Sequence, residues 1–477
     1  MISRRSTLKA LGAGLVTAGI PASALAADNS ANPDVVVIGA GLSGLYAASL
    51  LEEMGATVQV VEGRSRVGGR LYTDFDLPGN PELGANTMAS GYARVSNVAK
   101  RLGVNLVDYA PRYFTGLPSE LVVDKTIIPH KDWADSALNP FSPEHREILP
   151  ARLLSTVLKN NNPLPTSGDW LNPKYAHLDT SLRQFLLGQG LTDAEIALAY
   201  DANPYSGTSS SAVSALLLLQ TDRWIKEQMK FGQSQFAVEG GNQKLPQAMA
   251  ATLKREVWLN KDVQEIDTSS TPVVRFKDGT KITAKHVICS TPLSKLRDIS
   301  VLPKLQGLQR QAVSAIPYMR ISIMFLIPRS PFWEKDGLSD SMTSNGLAST
   351  MNAQKFAKDP NEITGFNVSI RGWKADMLDR LDPKEAAAAV ISEIENVRPA
   401  AKGQLEFGAY HSWAQDPFSA GSWSAPGPGQ VSGLLAAASK PHSKIYFCGE
   451  HTGTNQRGME AAMESAERAV VELASAL

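Results

Sequence analysis

A β-branched run, Asp34-Val35-Val36-Val37-Ile38, feeds directly into Gly39-Ala40-Gly41-Leu42-Ser43-Gly44, and a helical pattern follows from Leu45 to about Met54. No other stretch of the chain constrains its fold as tightly. The run suits a strand buried on both faces, Gly55 stops the helix, and Thr57 to Val61 supplies a second strand. The three glycines of this strand–turn–helix unit do different things. Gly39 makes the tight turn, Gly41 lets backbone approach a pyrophosphate, and Gly44 lets helix pack close to strand. The helix start offers free N–H groups and partial positive charge to phosphates. Glu62 lies eighteen residues beyond Gly44, where a carboxylate accepts hydrogen bonds from a ribose diol and repels a 2′-phosphate. The unit therefore predicts a dinucleotide site that disfavours NADP.

The chain runs on from Glu62 into Gly63-Arg64-Ser65-Arg66-Val67-Gly68-Gly69-Arg70, a basic, glycine-paired loop able to close over a pyrophosphate opposite the helix. Near the other end stand Ile445-Tyr446-Phe447-Cys448-Gly449-Glu450-His451-Thr452 and Gly458-Met459-Glu460-Ala461-Ala462-Met463. These give a strand, an acidic loop and a helix whose small residues permit close approach to a ligand. Between them come Phe236 to Pro246, Val257 to Ile266 and Val287 to Pro292. In content and order these segments resemble the flavin monoamine oxidase family. The likeness spans the chain after its first thirty residues and is weakest from about 110 to 230.

The resemblance implies an α/β fold: a Rossmann-like FAD-binding domain of the GG (amine oxidase) type, discontinuous over 33–88, 234–300 and 405–477, with an inserted α+β substrate domain over 89–233 and 301–404. Asp278-Gly279 between apolar alternations predicts a β-hairpin with a primed turn, Ala212 to Leu219 a short helix, and Tyr318 to Pro328 a strand flooring the substrate cavity. Carried over residue by residue, the resemblance assigns Gly39, Gly41, Gly44 and Glu62 to the dinucleotide turn. It places Arg64, Gly69 and Arg70 in the phosphate-facing loop, Gly84 beside the flavin, Val263 on the adenine side, and Glu450 and Met459 near the ribityl chain and pyrimidine edge. Trp423 falls on one aromatic wall over the flavin, while the opposite wall falls at Gly458, which has no side chain. Ser422 stands where mammalian monoamine oxidases attach flavin through cysteine, so FAD is expected to be non-covalent.

The implied reaction is oxidation of a neutral amine to an imine that hydrolyses to an aldehyde or ketone; the flavin carries the redox chemistry and the protein supplies orientation and an apolar cage. Counting back from Pro331-Phe332-Trp333 puts Ile323 where the family usually carries a lysine tied to reduced-flavin handling, and Arg320 would substitute only after a register shift. Oxygen and an external acceptor such as a periplasmic cytochrome therefore both stand as electron sinks. L-amino acid oxidation is the nearest alternative, but Thr87 occupies the place of the expected carboxylate-binding arginine, and Arg94, at helical spacing, is expected to face solvent. A flavin carrier without turnover is a further reading. Asp201, Asn203 and Tyr205 form a polar cluster that either ends a helix or meets substrate.

Lys plus Arg and Asp plus Glu both total 47, which leaves no electrostatic footprint for nucleic acid. Two cysteines and seven histidines without HxxxH spacing predict no metal site. Residues 1–26, with Arg4-Arg5, an apolar run from Ala10 to Ile20 and Ala24-Leu25-Ala26, read as a twin-arginine-type signal peptide with Thr7 where that motif usually has Phe. A periplasmic protein beginning near Ala27, without stable membrane insertion, is expected. The sequence leaves its oligomeric state open.

Overall fold

The computed structural model describes residues 32–109, 118–356, 359 and 361–476, so the expected signal peptide lies outside the described residues. Along the chain, the elements that build the site are β1 (Val35–Ile38), α1 (Leu42–Glu53), β2 (Val58–Val61), β3 (Glu120–Val123), β4 (Thr126–Ile128), β5 (His286–Cys289), β6 (Ile321–Pro328), β7 (Met342–Ser344), β8 (Thr350–Gln354), β9 (Gly365–Arg371), β10 (Leu405–Ser412), β11 (Ile445–Phe447) and α2 (Gly458–Ala474).

Four parallel strands in the order β11-β5-β1-β2 form the first sheet. Every residue of β1 and β2 is buried, as expected of a sheet covered on both faces. Its helical cover comes from the two ends of the chain: α1 and α2 share one core through Ala47, Ala48, Leu51, Ala466, Ala469 and Val470. The alanines let the two helices approach closely. The carboxyl ends of the strands, at Ile38, Val61 and Cys289, open towards a single cavity, the usual ligand position for a parallel sheet.

The second sheet has the order β10-β6-β9-β8-β7-β3-β4. All its pairs are antiparallel except β7 with β3. Side chains alternate across a strand, and here the two faces differ in kind. Phe366, Val368 and Ile370 of β9 and Met324 and Leu326 of β6 pack against Ala386, Ala387, Val390 and Ile394 of a helix over Pro383–Val397. That helix starts on a capping box between Asp382 and Glu385, with Pro383 in its first turn. The intervening residues, Asn367, Ser369 and Arg371, point the other way, into the cavity.

Several sequence expectations shift in detail. The hairpin closes between Val273–Phe276 and Lys281–Thr283, but only Gly279 has positive φ. Gly279 N–H donates to the Phe276 carbonyl at 3.0 Å, so this is a type I turn followed by a left-handed glycine rather than a primed turn, which needs positive φ at its first central residue. The helix expected over Ala212 to Leu219 runs from Ala215 to Met229, because the Ser214 hydroxyl accepts from Leu216 N–H and sets its start. Leu405–Ser412 pairs with β6 in the second sheet, so the chain rejoins the dinucleotide half only beyond Ser412, later than the boundary drawn at 405. Among the described residues no helix is long and apolar enough to cross a membrane.

A side chain at Gly44 would overlap the Gly39 carbonyl oxygen, which is backbone and cannot swing aside. Gly44→Ala should lower folding stability by about 1–3 kcal/mol through overpacking, measured by urea denaturation; an unchanged midpoint would contradict this account of the turn.

Candidate active site

A cavity of about 370 Å3 joins the carboxyl ends of the parallel strands to the polar face of the second sheet. Gly39, Gly41, Glu62, Arg64, Gly69, Arg70, Gly84, Val263, Glu450, Met459 and Trp423 all line it. Gly44 does not; it sits behind the turn, against Gly39. At the mouth of the parallel sheet two glycine turns face one another: a Cβ on Gly69 would come within 3.3 Å of the Gly41 Cα. Side chains at either position would fill the groove. No side chain caps the start of α1, which leaves its first N–H groups for a ligand.

Glu62 is held at this turn by both oxygens. One accepts from Ala40 N–H at 2.8 Å and the other from Arg64 N–H at 2.9 Å. The cations beside it are anchored by carboxylates from late in the chain. Arg64 pairs with Asp416 and donates to Ser419 Oγ at 2.8 Å. Arg70 pairs with Glu450 at 3.0 Å and donates to the Ser422 carbonyl. Arg66 stacks on the Tyr72 ring at 4.2 Å and donates to the carbonyls of Gly69 and Leu71, pinning the glycine pair. Burial, with Arg64 adding, pulls the Arg66 guanidinium down to about 10.

The far end of the cavity is lined by Ile321 and Ile323 of β6, Thr350 and Asn352 of β8, Asn367, Ser369 and Arg371 of β9, and the indoles of Trp413 and Trp423. The cage expected to be apolar has a polar floor. Trp413 is fixed by Nε1 donating to the Leu83 carbonyl at 2.7 Å, and it crowds Gly84, where a Cβ would lie 3.1 Å from the indole. Ser422 Oγ and Trp423 Nε1 are buried without partners among the described residues. A Cβ at Gly458 would meet only the Tyr92 hydroxyl, at 3.1 Å, so the wall opposite Trp423 stays open at that point.

Residues 42–474 match the family described as flavin containing amine oxidoreductase. The chain belongs to that family. It is 27% identical to mouse amine oxidase [flavin-containing] B over 480 residues, covering 93% of this chain and 86% of that protein. It is 25% identical to the L-amino-acid oxidase of Bungarus fasciatus over 457 residues, covering 91% and 86%. Cyclohexylamine oxidase from Brevibacterium oxydans IH-35A shares the fold, with a TM-score of 0.74 at 21% identity over 94% of this chain and 99% of that one. Membership in a family of oxidoreductases sets aside the flavin carrier without turnover.

For a flavin-containing amine oxidoreductase the cavity has the right parts. The facing glycine turns, the uncapped helix start and the orphaned polar atoms of Ser422 and Trp423 fit a flavin dinucleotide. Ile323 lines the cavity, as the gapless count from Pro331 places it, whereas Arg320 turns outwards and pairs with Asp376. Arg94 does not face solvent; it is half-buried, bonded to Glu460 at 3.0 Å and Glu467 at 2.8 Å, and tied to α2 rather than to the cavity. The polar cluster divides. Asp201 accepts from Ser210 N–H and Oγ, a structural role. Asn203 donates to Thr350 Oγ1 at 2.8 Å, and the Tyr205 ring lies 5.8 Å from the Arg371 guanidinium, so these two stand behind the cavity floor.

Sequence reading missed Thr350, Asn352, Asn367, Ser369 and Arg371, and it aligned the segment from Trp413 to Trp423 with the aromatic wall while giving a role to Trp423 alone. The signal for three of them was the alternation Phe366-Asn367-Val368-Ser369-Ile370-Arg371 in a strand covered on both sides. Polar residues on a covered face need a reason to be there.

The histidines nearest the site are held below their usual range. Burial, with Arg66 and Arg64 adding, pushes His411 down to about 4 against the pull of Asp416. Burial, Arg70 and Arg468 push His451 down to about 3. Behind Gly84, buried Glu82 accepts from Asn242 N–H at 2.6 Å and Thr73 Oγ1, and Asn242 in turn donates to the Ala85 carbonyl of the cavity wall. Burial outweighs these bonds and raises the Glu82 carboxyl from 4.5 to about 8. Between those values the folded protein holds one proton more than the unfolded chain. The Glu82 contribution is complete below pH 4.5 and is lost as pH rises to about 8, at about 1.4 kcal/mol per pH unit. Relative to Glu82→Gln, the unfolding free energy of the wild type should decline at that slope; parallel pH profiles would show Glu82 to be ionised in the fold.

Proposed function

We propose that this chain oxidises an amine with non-covalently held FAD, yielding an imine that hydrolyses to an aldehyde or ketone, in the bacterial periplasm after twin-arginine export. The observation that carries the reading is the single cavity that joins a dinucleotide cradle to a substrate-sized floor walled by two indoles. Gly39, Gly41, Glu62, Arg64, Gly69 and Arg70 would hold the dinucleotide, with Val263 towards the adenine and Glu450 and Met459 towards the ring system. When bound, the flavin supplies the two-electron acceptor.

The chain's own residues do the rest. Trp413 and Trp423 bound the space in which the amine sits, and their faces shield a neutral amine from water. No carboxylate or histidine lies among the described residues lining the substrate end, so the protein offers no base there to an ammonium. The Arg371 guanidinium favours the uncharged amine by charge repulsion. Ser422, with a hydroxyl in place of a thiol, cannot form a thioether to the flavin, which supports non-covalent binding. Ile323 brings no charge and no hydrogen bond to the place of the family's lysine. That absence favours an external acceptor such as a periplasmic cytochrome over oxygen.

Anaerobic mixing of purified protein with a panel of amines should bleach the bound flavin, and acid precipitation should release all of it to the supernatant. Colour left on the pellet would refute the non-covalent reading. Reoxidation after reduction should be slow with oxygen and fast with a cytochrome or dye, and Ile323→Lys should raise the oxygen rate by tenfold or more, equivalent to about 1.4 kcal/mol of barrier. Rapid reoxidation by oxygen in the wild type would overturn the choice of acceptor.

A further inference from the structure

Every arginine that lines the dinucleotide end of the cavity has a carboxylate partner: Asp416 for Arg64 and Glu450 for Arg70. The deepest structural arginine, Arg398, is likewise neutralised by Asp336 at 2.8 Å and donates to the Ser339 carbonyl. Arg371 breaks this pattern. Its one side-chain hydrogen bond among the described residues runs from Nε to Ser369 Oγ at 3.2 Å, and no carboxylate among them pairs with it. Its guanidinium carbon lies over the Tyr205 ring, 5.8 Å from the centroid. The guanidinium lines the substrate end of the cavity together with Ser369, Asn367, Asn352 and Thr350. An unpaired charge kept out of bulk water is costly, and burial does hold this guanidinium below its usual range. The Ser369 bond and the Tyr205 ring offset part of that cost, but no anion among the described residues does.

Register gives the guanidinium a definite station. Arg371 is directly opposite Ile321, and Ser369 is opposite Ile323. Arg371 therefore lies two residue pairs along the sheet from Ser369, the neighbour of the position where the family carries its flavin-side lysine, roughly 7 Å along and 5 Å across from that position. A guanidinium there presents a planar pair of donors that matches a carboxylate, with amide and hydroxyl groups of the same floor to complete its bonds.

We propose that Arg371 is a specificity-determining residue that binds a carboxylate carried by the amine substrate, so that the favoured substrates are amino acids rather than simple amines. The anion is gripped from the sheet floor, not from the loop after Gly84 where Thr87 stands. This rests on the reading of the chain as an amine oxidoreductase, and its test includes a readout that does not.

The holoenzyme, its Arg371→Met form and its Arg371→Lys form are compared on matched pairs: phenylalanine with 2-phenylethylamine, and 4-aminobutyrate with propylamine. In at least one pair the wild type should reduce its flavin more efficiently with the carboxylated member. In Arg371→Met the ratio of kcat/KM between the members should fall by roughly thirtyfold or more, carried by KM, with part of the preference regained in Arg371→Lys. Separately, phenylacetate and butyrate, which cannot be oxidised as amines, should perturb the flavin spectrum of the wild type and do so far more weakly in Arg371→Met. A wild type that favours the decarboxylated member of both pairs, or a variant whose losses are equal within each pair, overturns the proposal. If no amine reduces the flavin, the function reading fails, and the carboxylate titration alone decides the Arg371 site. If Arg371→Met does not fold, Arg371→Lys and the wild-type titration still decide the matter, because a wild type blind to both carboxylates rejects the site.

Discussion

The approach of the Gly44 Cα to the Gly39 carbonyl is the contact on which the rest of the site depends. It lets α1 begin directly under the first strand, and so aims the helix start along the groove between Gly41 and Gly69. Glu62 then closes the turn by accepting from Ala40 N–H. Two backbone contacts and one carboxylate thereby set the shape of the glycine-lined groove without any large side chain.

From that fixed end, charge pairs that are distant in sequence carry the geometry outward. Arg64 to Asp416 and Arg70 to Glu450 each tie the first hundred residues to the last seventy, and Arg70 reaches the backbone of Ser422 beside Trp423. These pairs are largely buried, so their worth is less in net stability than in the penalty for any arrangement that leaves one charge alone. The second sheet completes the enclosure by having two unlike faces, one sealed by the helix over Pro383–Val397 and one left polar.

The dinucleotide half was legible because its chemistry is local. A strand, a turn and a helix over twenty residues carry their own spacing, and Gly39 to Glu62 could be placed from it. The closing segment from Ile445 to Met459 was readable for the same reason. The substrate half was not, because its lining is assembled from alternate residues of strands that meet only in the folded sheet: Ile323, Ser369 and Thr350 are neighbours through register, not through sequence. The reading erred where a local rule was asked to decide a long-range matter. Arg94 has the helical spacing of a solvent-facing residue, yet α2 comes from the far end of the chain to cover it. The chain's return to the first domain was drawn at 405, because nothing in Leu405–Ser412 itself says which sheet it will join.

The suppressed basicity of His411 and His451 has a further consequence. With those imidazoles held below their usual range by burial, and amides, hydroxyls, indoles, aliphatics and a guanidinium lining the substrate end, an incoming nitrogen meets no carboxylate or imidazole among the described residues there. An acid–base limb near neutrality then has two sources: the incoming molecule's own nitrogen, and Glu82 behind Gly84, whose carboxyl burial raises to about 8. The polypeptide sets how strongly that nitrogen is discouraged from carrying its extra proton, and the guest's own titration is overlaid on that of one buried carboxyl.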